Sequence, residues 1–74
     1  MIAPGQLRRM IDDDFKAYND INGTMSQSPL YVVLEIVGDT YACTDPEWFV
    51  LFNGFRTTWA ESVILQDELI SDVP

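Results

Sequence analysis

Trp48-Phe49-Val50-Leu51-Phe52-Asn53-Gly54-Phe55-Arg56-Thr57-Thr58-Trp59 is two runs of aromatic and β-branched residues joined by Asn-Gly. Asn and Gly tolerate the positive φ values of a type I′ turn, whose twist matches that of the strands it joins, so the stretch reads as a two-residue β-hairpin. The turn fixes the register. Phe52 falls opposite Phe55, Val50 opposite Thr57 and Trp48 opposite Trp59 on one face, while Phe49 and Leu51 fall opposite Thr58 and Arg56 on the other. The first of these faces is strongly aromatic.

Upstream, Leu30 to Val37 is almost continuously aliphatic, interrupted by Tyr31 and Glu35, as expected of a central strand buried on much of both faces. Gly38-Asp39 supplies a further tight turn, after which Tyr41 and Cys43 are expected on the face of Leu30, Val32, Leu34 and Ile36, as the main core. Asp45-Pro46-Glu47 breaks the chain, because proline has no amide for a ladder. The expectation is a four-stranded meander from Leu30 to about Trp59. Before it, Leu7, Arg9 and Ile11 alternate with Arg8 and Met10 as a strand, and Asp12 to Pro29 forms a long connection. Asp12 could cap a short helix carrying Phe15, Tyr18 and Ile21 and ending near Gly23. Asn19, Asn22 and the stretch from Thr24 to Pro29 read equally as loop. After Trp59, a helical turn around Ile64 to Asp67 leads to a last strand at Leu69-Ile70-Ser71.

A chain of 74 residues cannot supply two cores, so residues 1–74 form a single domain. At 47% hydrophobic residues it is too apolar for the disordered class despite a net charge of −8. Most of the acidic excess falls after residue 38. A field of that sign repels phosphate backbones and anionic lipid heads and favours a basic protein surface, although solubility alone is the commoner reason for such charge. Cys43 is the only cysteine, which excludes an internal disulfide, and no run reaches the length of a membrane span. Met1 to Met10 has no apolar signal core, so cytoplasmic synthesis without export is expected.

Pro4-Gly5-Gln6-Leu7-Arg8, Leu30 to Gly38, Val50-Leu51-Phe52-Asn53-Gly54, Trp59-Ala60-Glu61-Ser62 and Leu69-Ile70-Ser71 together resemble small, mostly uncharacterised SH3-like barrel proteins of tailed bacteriophages. The resemblance implies an all-β, mainly β fold. It would be a small SH3-like barrel of five to six short strands, with a long first loop and a helical turn near the C-terminus. It also implies the host cell cytoplasm as the setting. Its motifs are strand-and-turn patterns and say little about function.

Without histidine the chain lacks the usual general base near neutral pH and the nucleophile pairs built on it, and it has no glycine-rich phosphate loop. No enzyme activity and no cofactor is expected. Asp12-Asp13-Asp14 with Asp20 could offer oxygen ligands to a metal, and so could Asp39, Asp45 and Glu47, but neither set has a calcium-loop spacing, and no metal site is expected. Asn22-Gly23-Thr24 matches a glycosylation sequon and reads as a turn. Cys43 reads as a small buried hydrophobe.

Trp48, Phe52, Phe55, Arg56 and Trp59 form the candidate binding face, since rigid rings on such a scaffold can hold a peptide or an unstacked base. Core packing of the two tryptophans is the commoner arrangement. Arg56 is expected either to pair with Glu61 or another carboxylate or to rim the binding face. The favoured function is a non-enzymatic protein-interaction module, a host-factor binder or a virion or assembly component. A homo-oligomer is expected from the apolar content. The alternative is a single-stranded nucleic-acid-binding barrel using Arg8, Arg9, Arg56 and the aromatics, which the charge disfavours.

Overall fold

The Asn-Gly hairpin forms with the expected register. Strands β3 (Glu47–Phe52) and β4 (Phe55–Ala60) pair Trp48 with Trp59, Val50 with Thr57 and Phe52 with Phe55. Asn53 and Gly54 take φ values of 50° and 82°, the two left-handed positions a type I′ turn requires. The computed structural model describes residues 1–22 and 28–72. The expected helix end at Gly23, the sequon and the loop reading of residues 24–27 lie outside the described residues, as does the side chain of Ile21.

Three more strands, β1 (Leu7–Arg9), β2 (Leu30–Ile36) and β5 (Glu68–Ser71), join the hairpin in one antiparallel sheet of order β4-β3-β2-β1-β5. The fold is mainly β, with two short helices. The long first connection is only partly loop, because α1 (Asp12–Asn22) occupies its first half. Its three aspartates fall in the first turn, where the helix dipole favours negative charge. The C-terminal helical turn is α2 (Glu61–Leu65), three residues earlier than expected. Its N-cap Ala60 has no side-chain acceptor to offer. Asp45 caps the helix from a distant loop instead, accepting from the Ser62 amide at 2.9 Å and the Ser62 hydroxyl at 2.8 Å.

Two parts of the expected meander are corrected. Tyr41 and Cys43 are neither in a strand nor in the core; Tyr41 is 71% exposed and Cys43 is exposed. Thr40 is the physical reason. Its hydroxyl donates to Val37 O at 2.8 Å and accepts from the Glu47 amide at 3.0 Å, so β2 leads directly to β3 through a clipped series of turns. The buried phase of β2 is also displaced by one residue. Tyr31 and Val33 are buried opposite Phe52 and Val50, leaving Leu30, Val32 and Leu34 on the other face. A register shift between Val33 and Glu35 then returns Ile36 to the core side opposite Trp48.

The core comprises Ile2, Met10, Tyr31, Val33, Trp48, Val50, Phe52 and Ile64, with Phe15, Tyr18, Ile36 and Trp59 packed against it. Trp48 satisfies its indole N–H by donating to Glu61 Oε2 at 3.0 Å.

Two glycines separate conformational need from packing. A Cβ at either Gly54 or Gly38 meets nothing within 4 Å, but only Gly54 holds a left-handed φ. Gly54→Ala is therefore expected to cost about 1–2 kcal/mol, and Gly38→Ala to be neutral or to stabilise by about 0.4–1 kcal/mol through the unfolded chain. Urea midpoints of the two variants check this; equal midpoints would refute the turn assignment.

Candidate functional site

Residues Asp14, Ala17 and Tyr18 follow the i, i+3, i+4 spacing that puts side chains on one face of a helix. On α1 this face stands across from Trp59 at the end of β4 and Val63 on α2. Between them lies a groove of about 310 Å³, lined by these residues and Met10. Its walls are mainly apolar, and Asp14 is the one charged group among them. The aromatic wall is fixed from the core side. Trp59 packs against Tyr31 at 4.7 Å between ring centroids and against Phe52 at 5.2 Å, while Phe52 and Tyr18 form a T-shaped pair at 5.0 Å.

A buried polar cluster beneath the groove sets the positions of both helices. Arg8, 4% exposed, donates from Nε to Gln6 Oε1 at 3.1 Å and from Nη1 to the carbonyls of Ile64 at 3.2 Å and Asp67 at 3.3 Å. Asp67 accepts the Ile11 amide at 3.2 Å, just before α1, and the Tyr31 hydroxyl at 2.5 Å. Gln6 completes the cluster by donating to Met1 O at 2.9 Å and Asp72 Oδ1 at 3.0 Å. Arg8 thus anchors the end of α2 and Asp67 anchors the start of α1.

Burial pushes the Asp67 carboxyl above the ordinary carboxylate range, and the nearby charge of Asp14 adds to that push. The hydrogen bonds from Tyr31 and Ile11 and the charge of Arg8 act in the opposite direction. Burial, then the hydrogen bond to Asp67 and its charge, raise the Tyr31 hydroxyl well above the usual tyrosine value. Tyr31 consequently keeps its proton and serves as the donor to Asp67.

The five residues of the expected binding face do not come together as one surface. Trp48 and Phe52 are core residues, 8% and 1% exposed, because a domain this small needs its largest side chains inside. Trp59 is half-buried and lines the groove. Phe55 projects at the hairpin tip, 74% exposed, and Arg56 lies on the opposite sheet face. There Arg56 pairs with Glu35 at 2.8 Å rather than with Glu61, and covers the Phe49 ring at 4.1 Å.

The arginines expected to meet a nucleic acid are likewise dispersed. Arg8 is internal, Arg9 pairs with Asp12 at 3.1 Å and Glu68 at 3.9 Å, and Arg56 holds Glu35. Asp12 and Asp45 serve as an ion-pair partner and a helix cap. Among the described residues no three His, Cys, Asp or Glu side chains converge as a metal site. No described helix is long and apolar enough to cross a membrane. Met10, Asp14, Ala17, Tyr18 and Val63 were not singled out for a site from sequence, although the helical spacing of Asp14, Ala17 and Tyr18 was available as a signal.

The cluster carries a pH signature. An acid whose folded pKa lies above its unfolded value contributes stability that is fully present below the unfolded value and lost as pH rises through the folded one. For Tyr31 that loss begins near the ordinary tyrosine value of 10.0. Tyr31→Phe is expected to cost about 1–3 kcal/mol at neutral pH, by leaving Asp67 Oδ2 without its donor. The same variant should lose less stability than the parent between pH about 10 and 12. Chemical denaturation across that range reads both effects, and parallel curves would contradict them.

Comparison with protein-family models finds no match, and neither curated proteins nor solved structures yield one, so the groove and its buried support are read from their own chemistry.

Proposed function

We propose that this chain is a non-enzymatic protein-interaction module, an SH3-like barrel of the bacteriophage type, that meets its partner at the Trp59 groove. The observation that carries the reading is the groove itself. It is preformed and apolar, its aromatic wall is braced by core rings, and its volume suits one or two side chains of a partner rather than a large ligand. Rigid aromatic walls lose little entropy on binding, which favours recognition by such a surface. The net charge of −8 makes a basic partner the natural complement. Host-factor inhibition and a virion or assembly role both fit an adaptor of this kind.

Self-association belongs to the same reading and uses a different face. Leu30 and Leu51, 39% and 42% exposed, lie on the sheet side away from the groove, where Leu7, Val32 and Leu51 align across β1, β2 and β3. A second copy could pair there without closing the groove. Salt screens the repulsion between two acidic copies. Light scattering should therefore report a mass that rises with protein and salt concentration, and a constant monomer mass would dismiss this part of the reading.

Ala17 is exposed on α1, so Ala17→Arg fills the groove mouth without entering the core. Affinity capture from bacterial lysate at low salt is expected to retain a protein on the parent chain and to lose it on this variant. Retention by both would move the contact elsewhere, and no retained protein on either would count against the interaction reading.

A further inference from the structure

The one charged residue lining the groove is an unpartnered acid in an apolar setting. Among the described residues Asp14 makes no hydrogen bond or ion pair, and its one recorded electrostatic contact is repulsion of the Asp67 carboxyl. The chain's own cations are committed elsewhere or point away. Arg8 is enclosed by carbonyls, Arg9 holds Asp12 and Glu68, and Arg56 holds Glu35. Lys16 lies two residues from Asp14 on α1, a spacing that does not bring side chains together on a helix.

The possible occupants differ by magnitude. A purely apolar side chain would desolvate the Asp14 carboxylate without replacing its lost water. An anionic group would add repulsion to that cost. A cation on a methylene stem places its charge at Asp14 while its stem packs on Tyr18, Trp59 and Val63, as long cationic side chains do on apolar surfaces. The aromatic walls add a further attraction for a cation near a ring.

We infer that the Trp59 groove receives the side chain of a lysine or arginine from an otherwise apolar stretch of the partner protein, with Asp14 as the charge that selects it. This rests on the interaction-module reading and gives its partner a chemistry. Asp14 is then the specificity residue, and Trp59, Tyr18, Met10 and Val63 supply the packing surface.

The test uses the 74-residue chain and three blocked peptides, Ala-Leu-Lys-Leu-Ala, the same peptide with Nε-acetyl-lysine, and the same with norleucine in place of lysine. Amide and indole NMR shifts of the protein are followed on titration. The lysine peptide is expected to give saturable shifts at Asp14, Ala17, Tyr18, Trp59 and Val63, and the acetylated and norleucine peptides to bind about tenfold more weakly. Asp14→Asn should weaken the lysine peptide by a similar factor while leaving its binding close to that of the norleucine peptide. The melting temperature of Asp14→Asn, measured alongside, should stay near the parent's, which separates loss of selection from loss of fold.

Equal binding of the lysine and norleucine peptides, an unchanged affinity in Asp14→Asn, or no shift at the groove with any peptide would overturn the assignment. Any of these results, combined with lysate capture that still depends on an open groove, would leave the interaction module standing and remove only its cationic ligand.

Discussion

Arg8 is the constraint around which the rest of this fold is arranged. A guanidinium this deeply enclosed costs several kcal/mol to desolvate unless its donors are met, and no carboxylate meets them directly. Its partners are the Gln6 side chain and two carbonyls at the end of α2. A helix leaves its last carbonyls without intrahelical donors, so the cation and the helix end each supply what the other lacks. Asp67, beside that same turn, reaches across to the Ile11 amide and the Tyr31 hydroxyl. One cluster therefore ties β1, β2, α2 and β5 together and fixes where α1 begins. The groove exists because two helices with little contact of their own are pinned to the same buried charge pattern.

How much of this could be read from the chain depends on how local the cause is. The hairpin was legible down to its register because Asn53-Gly54 is a local conformational demand, and the strand pairing follows from the turn. The phase of β2 was not. Leu30 to Ile36 is apolar on both faces, so alternation does not choose between them, and a one-residue slip exchanges them completely. The choice falls to Tyr31, whose hydroxyl can be buried because Asp67 waits 36 residues further on. The bulge after Val33 then hides the slip by returning Ile36 to the core. Tyr41 and Cys43 look like alternating strand residues, but the Thr40 hydroxyl closes the loop before they can pair.

The candidate site shows the same division. An arginine in a strand of alternating pattern reads as a surface cation, and nothing in the side chains of residues 64–67 announces that backbone carbonyls will surround it. Of the aromatic residues on the expected face, only Trp59 serves both the core and the groove. The carboxylates sort by partner. Asp45 caps α2, Glu61 receives the Trp48 indole, and Asp12 and Glu35 hold arginines. Asp14, the least distinctive member of a run of three, is the one whose charge borders an apolar groove without a matching cation.

Sharing Trp59 between core and groove has a consequence for how this small domain can change. The ring packs T-shaped against Tyr31 and tilted against Phe52, and Tyr31 carries the hydrogen bond to Asp67, so the groove wall is continuous with the packing that stabilises the chain. A chain of this length has a margin of only about 4–11 kcal/mol, of which a large core truncation removes 2–5 kcal/mol. Altering the floor of the groove therefore alters the fold. Ala17 and Val63 are exposed on α1 and α2, while the half-buried Asp14 acts on the buried cluster through its charge on Asp67. In the proposed interaction, specificity is free to vary at Ala17 and Val63, while the aromatic wall is held by the needs of the core.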